Sequence, residues 1–508
     1  MQSPLRPRRK LDMTMEHFDV LVVGAGLSGI GAAVHLRKHC PERSFAILEG
    51  RDRLGGTWDL FRYPGVRSDS DMYTLGYSFK PWEQPKAIAD GPSILKYIQD
   101  TAHEHDLERH IRYGLQVKRA AWSTADAAWT VEAERAGTNE VLRLSCNFLF
   151  MCSGYYRYDA GYLPHFEGSE RFAGRIVHPQ FWPEQLDYSG KRVVIIGSGA
   201  TAVTLLPEMA KTAAHVTMLQ RSPTWMVARP SEDALANRLR RWLPAKLAYA
   251  LTRWKRVLLG MYFFGLCQRK PEKVKSLLLG GVRAYLGPDY DVDKHFTPRY
   301  KPWDQRLCLV PDGDFFLALR RKKASVVTDQ IERFTEKGLK LKSGEELSAD
   351  LVVTATGLEL KVLGGLQLSV DGKPVDLAQT VSYKAMMYSG VPNLAVSMGY
   401  TNASWTLKCD LTCEYVCRLL NHMREHGLRQ CTPTLTDASM PLEPWSDFTS
   451  GYVQRAAHLF PKRGTVAPWK LKQNYIHDLL TLRYGKVDDG AMVFSSPVAP
   501  GQALAAAE

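Results

Sequence analysis

FDVLVVGAGLSGIGAAVHLRKHCPERSFAILE, residues 18–49, holds a strand, a glycine turn, a helix and a second strand in one unbroken run. Residues 18–23 are apolar and rich in β-formers, and apolar periodicity through Ala32 and Leu36 predicts a helix after them. Between the two stand Gly24, Gly26 and Gly29. The first permits the tight turn, the second lets backbone approach a pyrophosphate, and the third allows helix and strand to pack closely. Residues 45–48 predict the second strand, and Glu49, twenty residues after the third glycine, stands where an acid accepts hydrogen bonds from a ribose. The helix-terminal amides, with Ser28 among them, then face the phosphates. All parts of a dinucleotide fingerprint are present in the right order.

The pattern returns at residues 192–202, RVVIIGSGATA, which supply Gly197, Gly199 and Ala202, with Ser198, Ala200 and Thr201 between and beside them. Its second strand, 215–219, ends differently, on Gln220, Arg221 and Ser222. An acid there would favour the free ribose hydroxyl of NAD and repel a 2′-phosphate, whereas an arginine grips that phosphate with charge-assisted bonds. Arg221 could also be a solvated surface charge. Two dinucleotide sites with opposite endings imply a flavoprotein that holds FAD at the first site and NADPH at the second. Residues 148–151 and 351–354 are short apolar runs that fit returns of the chain to the first sheet.

The fold class that follows is α/β, with two Rossmann-like dinucleotide-binding domains, the second inserted in the first, and a helical insertion. The expected boundaries are a basic N-terminal extension at 1–15, the first part of the FAD domain at 16–160, and the NADPH domain at 161–350, with its helical insertion at about 232–290. The FAD domain resumes at 351–490, and a tail occupies 491–508. A chain of 508 residues with 45% hydrophobic content can bury the cores that this division needs. The net charge of +13 fits nucleic acid, anionic lipid or a phosphorylated cofactor; the second glycine motif favours the cofactor, and no nucleic-acid partner is expected. Nine cysteines at irregular spacing, with no CxxC pair, predict reduced thiols and a cytoplasmic setting, and they remove disulfide-reductase chemistry. Cys409, Cys413 and Cys417 would share one helical face, as small buried side chains rather than metal ligands.

The loop GGTWDLFRYPGVRSD, residues 55–69, has neither helical nor strand periodicity, yet it carries a tryptophan, a Tyr-Pro-Gly corner, arginines and aspartates. With Gly56, Trp58, Tyr63, Pro64, Gly65 and Asp69 it resembles one fingerprint of the Baeyer–Villiger monooxygenases. FAGRIVHPQFWP, with Phe172, Gly174, His178, Trp182 and Pro183, resembles the other, and RSDSDMYTLGYSF, PWDQRLCLVP and GYTNASWTLK extend the likeness over roughly residues 18–494. The resemblance implies insertion of an oxygen atom from O2 beside a ketone carbonyl to give an ester, with oxygenation of sulfur in sulfides or thioamides as a second activity. It implies that Arg306 is the fixed cation beside the flavin and that Asp69 holds it. It also places Thr57, Trp58, Asp59, Leu60 and Val117 at the FAD site. Many relatives carry a lysine just before the arginine, where this chain has Gln305, so NADPH preference rests more heavily on Arg221.

Rival readings stand beside these. Trp58 could be a packed core aromatic, Asp69 could cap a helix while Asp71 meets the arginine, and His178 reads as a hydrogen-bonded linker between domains. Two other reactions also fit a two-dinucleotide chain: a flavin-containing sulfur or nitrogen monooxygenase without ketone activity, and a flavin NADPH oxidase or redox sensor. Residues 232–275 alternate apolar stripes with lysine and arginine. They would cover a substrate tunnel with a solvated basic face, or make reversible contact with an anionic membrane. The sequence sets no oligomeric state.

Overall fold

The computed structural model describes residues 15–497, so Arg6, Arg8, Arg9 and Lys10 of the expected extension, and residues 498–508 of the expected tail, lie outside the described residues. Two sheets organise the chain. In the first, of nine strands, Glu16–Val23 pairs in parallel with Phe45–Leu48 on one side and Val141–Met151 on the other. Its last four residues are buried on both faces, as are all four of Phe45–Leu48, which is why these segments read as continuous apolar runs rather than alternating ones. Val141–Met151 joins this parallel core to an antiparallel wing: residues 141–146 pair with Ala128–Arg135, while residues 149–151 pair with Leu394–Val396.

The second sheet has five parallel strands in the order Ala324–Thr328, His215–Gln220, Arg192–Ile196, Leu351–Thr354 and Arg175–Val177. Residues 351–354 therefore do not return to the first sheet as the sequence reading places them. They lie inside the second, between its two earliest strands, and the division at residue 350 cuts through that sheet. An apolar run buried on both faces carries no mark of which parallel sheet it joins, because pairing is a long-range property. The return comes later, through Gln367–Val370, paired with Leu115–Ser123, and then through Leu394–Val396. The expected tail also begins as structure: Met492–Ser495 pairs antiparallel with Gln430–Pro433. Its alternation is too short to signal a strand locally. The second domain is inserted in the first, as its place in the chain requires.

The helical insertion consists of Ala234–Trp242, Ala245–Arg269 and Pro271–Leu286. Asp233 starts it by accepting a hydrogen bond from the Ala236 amide at 3.0 Å, and its carboxylate also holds Lys255 at 2.6 Å. Although the second domain emits this hairpin, a buried arginine ties it to the first. Arg253 donates to the carbonyls of Tyr73 and Gly76 at 2.9 and 2.7 Å and pairs with Asp410 at 3.3 Å. Asp410 sits on Trp405–Glu425, the helix whose Cys409, Cys413 and Cys417 are all buried. All nine cysteines are free and buried. Among the described residues no helix is long and apolar enough to cross a membrane.

Candidate active site

A cleft of about 1640 Å³ runs between the two sheets, and both glycine motifs open into it. At the first, Gly24 has φ +105°, and a Cβ there would lie 2.6 Å from the Cys152 carbonyl oxygen. A Cβ on Gly29 would stand 1.8 Å from the Gly24 carbonyl oxygen, so only glycine lets the helix approach the turn this closely. Gly29 does its work in packing and does not line the cleft, and Ala202, fully buried, is its counterpart in the second motif. A Cβ added at Gly199, by contrast, would meet nothing within 4 Å. Its open side is the cleft.

The helices that follow, Leu27–His39 and Ala200–Met209, start at Gly26 and Gly199, and neither has a side chain capping its first amides. Those amides have no partner within their own helix, and the helix dipole adds positive potential, which suits a pyrophosphate at each mouth. Arg221 and Ser222 line the second mouth, where the Ser198 hydroxyl donates to the Ser222 carbonyl at 3.1 Å. Glu49 lines the first. Its carboxylate accepts from the amides of Ala25 at 2.7 Å and Arg51 at 3.0 Å, tying the glycine turn to the strand end. Burial raises its pKa, an effect that these amides oppose.

The opening loop spans the gap between the domains. Thr57, Trp58 and Leu60 line the cleft, and Trp58 packs on the first domain's core from the other side. The Thr57 hydroxyl lies 3.3 Å from that of Tyr158. Asp59, expected at the cofactor, is turned away: it is 2% exposed, and Arg51 at 2.5 Å and Arg62 at 3.0 Å hold its carboxylate. A cluster of arginines nearby in sequence claims the charge, which spacing alone does not reveal. Gly65, with φ +73°, brings the Tyr-Pro-Gly corner against the helix Ala200–Met209, where a Cβ would sit 3.0 Å from that of Glu208. Arg67 pairs with Asp314 of the second domain. The loop is thus anchored on both sides of the cleft.

Its end supplies the site's charge. Arg306 Nε donates to Asp69 Oδ2 at 2.8 Å, and its Nη1 donates to the Thr401 carbonyl at 3.2 Å. About a third of each side chain, 34% for Arg306 and 35% for Asp69, opens on the cleft, and protein encloses the rest. Burial works against both charges, yet each outweighs it for the other: Asp69 is held below the ordinary aspartate value and Arg306 above the ordinary arginine value. Asp71 is the helix cap instead, accepting from the Thr74 amide at 3.1 Å. Gln305 lines the cleft beside the arginine.

Of the remaining predicted residues, Val117, Gly197, Ala200 and Thr201 line the cleft. Ser28 also lines it, and its hydroxyl accepts from the Trp405 indole at 2.8 Å. His178 does not line it. The Nδ1 of His178 accepts from the Gln180 amide at 3.2 Å, its ring lies against Gly161, and burial lowers its pKa. Its contacts lie within the segment that crosses between the domains. Among the aromatics that sequence reasoning missed are Trp405, Tyr155, stacked on it at 5.1 Å, and Tyr452. Burial raises both tyrosines, so they face Arg306 as neutral phenols.

Two dinucleotide mouths on one cleft, with a fixed cation on its wall, define a flavoprotein monooxygenase that holds FAD and has a second dinucleotide site. Residues 67–257 match the flavin-binding monooxygenase-like family, and residues 22–83 match the NAD(P)-binding Rossmann-like domain. The chain is 53% identical to the FAD-containing monooxygenase EthA of Mycobacterium tuberculosis, over 96% of this chain and 99% of that protein. It is 49% identical to a probable FAD-binding monooxygenase, AlmA, of Acinetobacter baylyi, over 94% and 96%. It belongs to this family of FAD-containing monooxygenases. Its fold is that of a steroid monooxygenase solved with NADP, at a TM-score of 0.74 and 20% identity over 94% of this chain and 99% of that one. Cyclohexanone monooxygenase in its open form is equally similar, at 0.74 and 20% over 95% and 100%.

Proposed function

We propose that this enzyme is a Baeyer–Villiger monooxygenase that inserts one oxygen atom of O2 beside a ketone carbonyl to give an ester, and that also oxygenates sulfur in sulfides or thioamides. The observation that carries the reading is the Arg306–Asp69 pair, a cation locked in place on the wall of the cleft. Bound FAD supplies oxygen activation and bound NADPH supplies the reducing hydride. The chain's own residues do the rest. The two uncapped helix ends bind the pyrophosphates, Glu49 orients the first ribose, and Arg221 holds the 2′-phosphate at the second. Arg306 stabilises the negative charge that develops on the substrate's carbonyl oxygen, and Asp69, a positioning residue, keeps the guanidinium charged and aimed. Tyr155, Trp405 and Tyr452 present apolar faces that keep water from the reacting atoms.

Product analysis of a ketone and thioether panel, run with NADPH and O2, tests this reading. Ester formed from ketones in proportion to NADPH consumed supports it. Sulfoxide without ester would assign the enzyme to sulfur chemistry alone. Hydrogen peroxide as the sole product would make it an oxidase.

A further inference from the structure

The long helix Ala245–Arg269 is apolar on two faces. Its inner face packs through Val257 and Met261 on Tyr400, Leu407 and Ala403, and Tyr400 and Ala403 are walls of the active-site cleft. Its outer face is also apolar and exposed, with Tyr475 set edge-on to Trp254 at one border, ring centroids 5.9 Å apart. Leu247, Leu251, Trp254, Leu258 and Tyr262 follow the helical repeat along one stripe, with Leu258 50% and Tyr262 70% exposed. Trp242, 81% exposed, stands at the end of the preceding helix. Of the twenty large hydrophobic side chains exposed among the described residues, nine fall within 235–277, so the apolar surface is concentrated here rather than scattered.

The charge around the stripe is of one sign. From residue 234 to 271 the sequence holds nine lysines and arginines and no aspartate or glutamate. Arg253 is consumed by Asp410, and Lys255 and Arg256 by Asp233. Arg238, Arg241, Lys246, Arg269 and Lys270 are exposed and make no ion pair among the described residues. A second copy of this chain docking through the same face would bring these cations together, so self-association is disfavoured by the same residues that favour an anionic surface.

We propose that the helical insertion docks this enzyme on the surface of an anionic phospholipid bilayer, with the Leu247–Tyr262 stripe seated among the acyl chains and the flanking cations on the headgroups. The geometry is that of an interfacial helix, apolar on the lipid side and basic at its borders. Because an adjoining face of the same helix packs on Tyr400 and Ala403 of the cleft wall, a docked enzyme holds its active site close to the bilayer. An apolar substrate dissolved in the membrane would then have a short path to it.

Co-sedimentation of the full-length, FAD-loaded enzyme with vesicles tests the proposal, using phosphatidylcholine alone and phosphatidylcholine mixed with phosphatidylglycerol. Binding to the anionic vesicles, weakened by salt and at least about tenfold stronger than to the neutral ones, supports it. The doubly substituted Leu251→Glu/Leu258→Glu enzyme should lose that binding by a similar factor while oxidising NADPH with a water-soluble ketone as before, since both side chains point into solvent. Binding to neither vesicle, or equal binding by the substituted enzyme, would overturn the proposal. So would a wild-type oligomer that the two glutamates dissociate, with no vesicle binding by either protein, because the stripe would then belong to a second copy.

Discussion

At the residue scale the site turns on ions whose partners are fixed by burial and geometry. Asp69 is depressed below its ordinary value by Arg306, so the ion pair is intact above that ordinary value and is lost only as pH falls through the lowered one. The ratio of ester formed to NADPH consumed should therefore not fall on this pair's account between about pH 7 and pH 5; a titration of that ratio in this range, abolished in Asp69→Asn, would contradict the assignment. Arg221 makes a different kind of statement. If it grips the 2′-phosphate, Arg221→Ala should raise the KM for NADPH far more than for NADH, by a loss of about 2 kcal/mol for a charge-assisted pair. Equal losses would make it a surface charge. Asp71, as the cap of a buried turn, should matter to stability alone. Asp71→Ala should cost about 1 kcal/mol, read as a lower melting temperature with the ester yield per NADPH unchanged.

The elements show why glycines of one motif are not equivalent. A Cβ on Gly29 would run into the Gly24 carbonyl, whereas one on Gly199 would enter only the cleft. Gly29→Ala should therefore lower the melting temperature and release FAD. Gly199→Ala should fold with full FAD content and lose affinity for NADPH, which stopped-flow reduction at varied NADPH would measure. Both glycine turns, their helices and the acid or arginine ending were legible because they are local: strand, turn and helix lie within about thirty residues. The loop's Asp69 and its distant partner Arg306, 237 residues apart, were legible only through family resemblance. Asp59 was misplaced for a related reason. Its capture by Arg51 and Arg62 depends on how the short helix Thr57–Leu60 turns, which composition does not state. The aromatic wall of Tyr155, Trp405 and Tyr452 was missed because the three come from far apart in the chain, and each reads alone as a core residue.

For the whole molecule, the domain plan followed from two local fingerprints, while the strand Leu351–Thr354 had to be reassigned by pairing that no short window contains. What joins the parts is a few long-range contacts: the loop's Arg67 to Asp314, and the insertion's Arg253 to Asp410. Arg306, on the cleft wall and paired with that loop's Asp69, is the centre of the proposed mechanism. The direct test is Arg306→Ala, with FAD content, NADPH oxidation, ester and hydrogen peroxide all measured. The substituted enzyme should keep its FAD and still oxidise NADPH, with ester formation down by about a hundredfold and the consumed NADPH recovered as hydrogen peroxide. Ester formation at the wild-type rate would contradict the role given to Arg306.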